Sequence, residues 1–472
     1  MLDFLLEHAA KDPISFHMPG HKGSDIFKKY GYGNVFDKIP DIDVTEIPGA
    51  DNLFQTEGII KDLQESYANL YGVSNSYLQI NGTSGGIIAA ILATVSPGKK
   101  LIMARNSHKS IFNALTLGNI EPIYAHPSLD EEFGVTGPID PGEIAELIAN
   151  NPDVEAVILP SPNYYGFCSD ITAIADIVHK AGKVLIVDQA HGAHLKFFHK
   201  FGFGEDMPKA AEDCGADIVI NSIHKTLASL TQSALLNYNE SERVNRYVLE
   251  DKLQAIESSS PSYVLMSFLD INAKILEEHG QEVIKYWKDA IDYFYEEAKD
   301  IPHLKVIDSG AKLLDRTKIN IDFGEIGIDG EQLEKKLMKR DIFPELYTGN
   351  ILMLMTGIGN TKEHMTKTLA ALREIAKESE VTGRAGKEST KIEIPEPGVL
   401  HAIPKTKEFV DIDESPGRIC AGSIIPYPPG IPFICPGEEI TKDTVEYIKS
   451  LRSVGDKVIG VNELNQVLVG KE

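Results

Sequence analysis

The sequence predicts an α/β fold built on a mostly parallel sheet, followed by a smaller α+β region. Between about residues 60 and 240, short apolar runs alternate with amphipathic segments. The apolar runs are continuous rather than alternating, as strands covered on both faces are. Gly and Pro punctuate the intervals between them.

In chain order, the expected strands are Tyr77 to Ile80, Leu101 to Ala104, Ala156 to Leu159, Val184 to Val187 and Ile218 to Ile220. Between the third and fourth, Ile174, Ile177 and Val178 recur at helical spacing, and Ala181-Gly182 closes a helix over 171–180. Residues 262–300 predict one or two long helices, with Tyr286, Trp287, Ile291 and Phe294 on the buried face. Composition then shifts. Strands are expected over 304–307, 319–323 and 351–356, and helices over 330–339 and 362–377, so a second domain should start near 301. This divides the chain into an N-terminal arm with a large domain, 1–300, and one or more smaller C-terminal domains, 301–472. The polar stretch Glu378 to Pro397 predicts a linker, and the proline-rich run Ile425 to Pro432 a rigid extended loop.

A length of 472 residues suits two or three domains, and 42% hydrophobic residues suffice for a large core. With 46 basic and 70 acidic residues the formal charge is −24, which argues against nucleic acid or an anionic membrane as partner and favours a cationic small molecule. The most apolar stretch, Ile87 to Val95, is about half a membrane span. An acid follows Leu2 where a signal peptide would be basic, and the four cysteines are unclustered, so a cytoplasmic protein is expected.

Four positions carry chemistry. Asn81-Gly-Thr-Ser-Gly-Gly86 joins a strand to an apolar helix, so Gly82, Thr83 and Ser84 sit where backbone amides and the helix dipole favour an anion such as phosphate. Asp188 follows a strand directly, at the sheet edge where open α/β folds bind ligands. Lys225 lies just past another strand end, beside Ser222 and His224, and a desolvated lysine there can form a Schiff base with an aldehyde. His108 follows a third strand and is placed to lie against a planar ring. A phosphate turn, a strand-end carboxylate and a strand-end lysine 37 residues later are together what pyridoxal 5'-phosphate requires. Taken separately, each part also reads as an ordinary turn or surface residue. Asp188, His191 and His194 admit a metal reading as well, but no third nitrogen or sulfur ligand has suitable spacing, and no metal is expected.

Seven segments together resemble the bacterial ornithine/lysine/arginine decarboxylases, nearly end to end: Ser15 to Lys22, Asn81 to Ser84, Arg105 to Ser110, Pro162 to Gly166, Asp188 to His194, Ser222 to Lys225 and Tyr427 to Pro432. The chain most resembles the short arginine decarboxylase-like branch, which lacks an N-terminal wing domain. The resemblance implies a fold-type I aminotransferase-like large domain, a smaller C-terminal domain, and a homodimer with active sites at the subunit interface, with further assembly open. It implies decarboxylation of a basic amino acid, arginine to agmatine first and lysine or ornithine next, as in polyamine biosynthesis. Lys225 is then the cofactor's lysine, Asp188 the partner of the pyridine nitrogen and His108 the stacking ring. Gly82, Thr83, Ser84, His191, Ser222 and His224 surround the cofactor. Glu345, in Phe343-Pro-Glu345-Leu, faces the substrate's distal cation, with Glu438 in support, and Ser259 belongs to a segment that reaches the neighbouring subunit.

Two departures from the family pattern stand out. Gln189 replaces a frequent acid beside the key aspartate, and Ala50-Asp51-Asn52-Leu53 replaces a double acid. Gln189 is expected to face away from the cofactor. Rival readings are a transaminase or aldolase on the same fold, or a non-enzymatic cofactor-binding protein. The segment around His17, His21 and Lys22 has no role in the chemistry assigned by sequence and is expected at most to order the N-terminal arm.

Overall fold

The computed structural model describes residues 1–471 apart from 131, 309–312, 381–400, 402, 428–431 and 454–456. Its centre is a seven-stranded sheet. The strands are β1 (Asn75–Gln79), β2 (Lys100–Ala104), β3 (Glu121–Ala125), β4 (Val154–Pro160), β5 (Val184–Asp188), β6 (Ile218–Asn221) and β7 (Ala234–Tyr238). They lie side by side in the order β1-β7-β6-β5-β4-β2-β3. All neighbours run parallel except β7, which is antiparallel to both β1 and β6. The five strands expected from sequence are present within a few residues. The expectation omitted β3 and β7. Pro122 masks β3, and an edge position tolerates it because one side of the strand lacks a ladder partner. β7 is a short apolar run at the point where the chain turns back between two strands already in place.

Helices cover both faces. Ile171–Lys180 is capped by Asp170, whose Oδ1 accepts the N–H of Ala173 (3.1 Å). The helix Gly82–Thr94 packs Gly86 against Ile220 of β6, where an added Cβ would lie 3.3 Å from the isoleucine methyl. Residues 263–298 form one unbroken helix of 36 residues whose buried stripe includes Ile284, Trp287, Ile291 and Phe294. Tyr286 is not on that stripe. One residue from Trp287 rotates it about 100°, out to the surface under the ammonium of Lys29.

After this helix the chain builds a second, antiparallel sheet from β8 (Lys305–Val306), β9 (Lys318–Asp322), β10 (Leu346–Thr348) and β11 (Ile351–Met355), in the order β8-β9-β11-β10. The helix Lys362–Glu380 continues through the first residues of the expected linker, and Glu378 accepts a hydrogen bond from Arg340 (2.8 Å). The rest of that linker lies almost wholly outside the described residues. From about residue 403 a further unit has its own apolar core, with Ile412, Ile424, Ile440, Ile448, Val467 and Val469. Within the expected proline-rich loop, Ile425–Tyr427 pairs with Lys457–Ile459, so its beginning is a strand, while residues 428–431 fall outside the description. Among the described residues, no helix is long and apolar enough to cross a membrane.

Asp51 shows how an exposed acidic segment is tied down. Its carboxylate accepts the backbone N–H groups of Asn52 (2.8 Å), Glu57 (3.0 Å), Gly58 (2.8 Å), Ile60 (3.0 Å) and Lys61 (3.3 Å), at the head of the helix Ile59–Tyr71. Burial opposes its ionisation, but these donors outweigh burial and hold Asp51 at about 2. Asp51→Ala should therefore cost roughly 1–2 kcal/mol in urea unfolding at neutral pH. Since the folded-state value lies below that of an unfolded aspartate, about 3.9, the wild-type advantage should be full above about pH 4. It should fade as pH falls through 2.

Candidate active site

Lys225 sits on a single helical turn, Ile223–Thr226, that begins directly after β6. Among the described residues its side-chain hydrogen-bond partner is His191, whose Nε2 accepts from Nζ at 3.0 Å. Burial pushes the amine below the ordinary lysine range, against the pull of Asp188 and Glu345, and the charge of Lys318 adds to burial. A lysine in this state is a competent nucleophile toward an aldehyde.

Asp188 ends β5, the strand next to β6, and is almost fully buried. Its Oδ1 accepts one backbone N–H, from Ala190 at 3.1 Å. Burial raises its carboxyl, and Lys225 offsets this only in part. A buried carboxylate with so few donors suits a cationic ring N–H. The imidazoles nearby are neutral. His108 caps the helix Lys109–Gly118 through Nδ1, which accepts from Ser110 N at 3.2 Å. His108 keeps exposed surface, yet desolvation by the surrounding chain and the charges of Lys225 and Lys109 hold it at about 4. Burial likewise brings His224 to about 4, and its Nδ1 donates to the carbonyl of Ser233 (3.0 Å) with Ser222 Oγ beside it (3.1 Å). Burial keeps His191 well below the usual histidine value, with Lys225 and Lys318 adding to the effect.

The expected phosphate turn has the required form. Gly82 adopts φ +69°, a conformation open to glycine, and starts the helix Gly82–Thr94. Asn81 makes no side-chain cap there; its Nδ2 donates instead to Ile256 O (2.9 Å). The helix N-terminus is thus left to an outside acceptor. Thr83 and Ser84 are half-buried at its first turn. Together with the buried, unpartnered hydroxyl of Thr226 and the unpartnered Nδ1 of His191, this donor set fits pyridoxal 5'-phosphate.

The N-terminal motif now has a place. Ile14–Ser15 pairs in parallel with Ile342–Phe343, and the arm continues across the end of β11. Gly20 donates its N–H to His224 O (2.7 Å) and lies directly on the backbone of Thr226, so closely that any side chain would collide. Met18 N donates to Glu345 Oε2 (3.0 Å). The ammonium of Lys22 fastens the arm to the carbonyls of His17 and of Met355, the latter at 3.0 Å, and burial pushes it down to about 7 although Glu345 pulls the other way. The arm therefore closes over the helix of Lys225 and holds Glu345. Sequence gave no sign of this, because the partners lie more than 200 residues away.

Other expectations meet different geometry. Glu438 is buried, and its carboxylate is committed to Arg105 Nη2 (3.3 Å) and to Cys435 N (2.8 Å). Arg105, which ends the run from β2, also donates to the carbonyls of Pro432 (2.7 Å) and Phe433 (2.6 Å). Glu438 thus joins the C-terminal unit to the large domain and is not free to select a substrate. Ser259 is exposed. His194 pairs with Asp315 (3.1 Å) and Thr317 (3.1 Å), away from Lys225 and its partner His191. Among the described residues, no three His, Cys, Asp or Glu side chains gather to hold a metal.

Gln189 faces away from Lys225. Its Nε2 donates to Glu212 Oε2 (2.9 Å) and Asn221 Oδ1 (2.9 Å), and its Oε1 accepts Ala211 N (2.7 Å). Glu212 is buried among amides, and burial raises its carboxyl despite them. Gln189→Glu would set a second carboxylate against it. A loss of about 2–4 kcal/mol is expected in urea unfolding at pH 8. The loss should be smaller at pH 5, where the pair can share a proton.

Comparison with known proteins finds matches over most of the chain. The Orn/Lys/Arg decarboxylase major domain matches residues 1–318, and the C-terminal domain of the same family matches residues 387–466. The chain is 35% identical over 466 residues to the Bacillus subtilis protein YaaO, covering 97% of this chain and 95% of that one. It is 32% identical over 479 residues to an arginine decarboxylase of Bacillus anthracis, covering 98% and 94%. Among solved structures, lysine decarboxylase A from Pseudomonas aeruginosa superposes with a TM-score of 0.78 at 20% identity, over 99% of this chain and 80% of that one. At that identity the match speaks for the fold, which is that of type I pyridoxal-phosphate enzymes with a separate C-terminal domain.

Proposed function

This chain belongs to the Orn/Lys/Arg decarboxylase family and is a pyridoxal-phosphate-dependent carbon–carbon lyase, and on that premise we propose that it converts L-arginine to agmatine, with L-lysine or L-ornithine as the next candidates. One observation carries the choice of a basic substrate: Glu345, anchored by Met18 N at one carboxylate oxygen, acts electrostatically on Lys225. A carboxylate held by the same arm that lies against the helical turn of the reacting amine suits a substrate whose far end is a cation. Arginine is preferred because relatives at about 32% identity carry that name.

Lys225 would hold the cofactor's aldehyde carbon, Asp188 the ring nitrogen, His108 one ring face, and Gly82, Thr83, Ser84, Ser222 and His224 the phosphate and its surroundings. When bound, the cofactor supplies an electron sink for the bond to the substrate's carboxylate. Asp188 keeps a positive charge at the ring nitrogen. The neutral His108, His191 and His224 line the site without competing for the phosphate's donors. The N-terminal arm and the small domain exclude water. The division at about residue 300, a cytoplasmic location and a role in making polyamines belong to the same reading, as does a homodimer in which Ser259 completes the neighbouring site. Exposed Leu2, Phe4, Leu5 and Leu6 on a helix with no buried residue support a contact between subunits.

Lys225→Ala should purify without the visible absorbance of the bound cofactor; a retained band would take Lys225 out of this role. A product assay across arginine, lysine and ornithine should yield agmatine from arginine, and cadaverine or putrescine as the main product would reassign the substrate. Glu345→Gln should lower kcat/KM for the preferred substrate by roughly two orders of magnitude, about 3 kcal/mol. Discrimination against neutral amino acids should fall with it.

A further inference from the structure

On the other side of His191, the partner of Lys225, lies a fully buried lysine that nothing in its sequence surroundings singles out. Lys318 opens β9 of the small sheet, and in its ion pair with Asp315 neither side chain has any exposed surface. The ammonium donates to the backbone carbonyl of His191 (2.6 Å), to Asp315 Oδ2 (2.8 Å) and to Thr317 Oγ1 (3.2 Å), which uses all three of its protons. Asp315 is itself fixed. Its Oδ1 accepts from His194 Nε2 (3.1 Å), Thr317 N (3.0 Å) and Thr317 Oγ1 (2.7 Å), and its own N–H donates to Gly166 O (2.8 Å). Gly166, at φ +97°, permits this approach: an added Cβ would stand 2.8 Å from the carbonyl oxygen of Asp315. His191 is thus held on three sides, by Lys318 at its carbonyl, by the ring of Tyr164 at 4.4 Å and by Lys225 at Nε2 (3.0 Å).

We propose that Lys318 is a positioning residue for Lys225, acting through His191 and through its own fixed charge. The proposal rests on the reading of Lys225 as the lysine that carries the cofactor. Loss of the ammonium would free the carbonyl of His191 and with it the orientation of the imidazole against Lys225. It would also change the field at Lys225. The charged and titratable groups that act on that amine are Asp188 at the end of β5, His191 on the following loop, His224 on its own helical turn, Glu345 just before β10, His108 at the head of the helix Lys109–Gly118, and Lys318 on β9. Both carboxylates favour a cation there and the three imidazoles are neutral, so Lys318 is the charge that opposes them.

The test follows the visible absorbance of the purified holoenzyme as a function of pH, with borohydride reduction and peptide mass mapping to locate the attached cofactor. Lys318→Met should still carry the cofactor on Lys225, with its spectral transition moved upward by about one pH unit or more. Lys318→Arg, which keeps the charge, should move less than half as far. Because Lys318→Met leaves Asp315 buried without its lysine, the double variant Asp315→Asn/Lys318→Met provides a folded alternative; with the net charge of the pair unchanged, its transition should still be displaced from wild type because the carbonyl of His191 has lost its donor. A transition coincident with wild type in either variant, or an equal shift in Lys318→Arg, would overturn the proposal. Label on a lysine other than Lys225 would remove the reading of function and this proposal with it. Label on Lys225 with an unmoved transition would remove this proposal alone.

Discussion

An amine withdrawn from water is the constraint on which the rest of this structure depends. Lys225 stands at the C-terminal edge of a parallel sheet, a place that is open by construction, and it is half-buried only because distant stretches of chain are brought over it. The strand-end segments after β5 and β6 supply Asp188, His191 and the helical turn of Lys225 itself. The N-terminal arm supplies Gly20 against Thr226, and the small domain supplies Ile358, whose N–H donates to Thr226 O at 2.8 Å. Each wall also satisfies backbone groups that the others would leave bare, so burying the lysine and pairing the polar backbone are solved together.

What could be read from the sequence was what is local. β5 and the helix Ile171–Lys180 announce themselves by apolar run and by period, and Asp188, His108, Ser222 and Lys225 follow strand ends that the same runs define. Gln189 points away from the cofactor side because consecutive residues at a strand end alternate in direction. The pairings across hundreds of residues were not legible. Nothing near Met18 says that its N–H meets Glu345, nothing near Arg105 says that it reaches Glu438, and Lys318 looks like any lysine at the start of a strand. Tyr286 and Glu438 mark the two ways such reading errs. One is a misjudged phase on a helix, and the other is a resemblance that fixed a residue's neighbourhood in sequence without its partner in space.

The acidity of the chain takes on sharper meaning once particular carboxylates are located. Asp51 is occupied by five backbone amides, Glu212 by side-chain amides, Asp315 by a lysine and a histidine, and Glu438 by an arginine. Much of what looks like surplus negative charge near the core is structural and already matched. Glu345 differs: among the described residues, the backbone N–H of Met18 donates to one of its oxygens and the second oxygen has no hydrogen-bond donor.

The clasp around Arg105 has a bearing on how this protein comes into being. The guanidinium sits three residues before His108, and the carbonyls it grips lie 327 and 328 residues further on. A growing chain emerges from the ribosome in order, and contacts of such sequence separation form last. The large domain can therefore assemble its sheet early, but the loop bearing His108 gains its final support only when the chain has been made past Glu438. An unfinished chain would own the chemistry's residues without the frame that keeps them still.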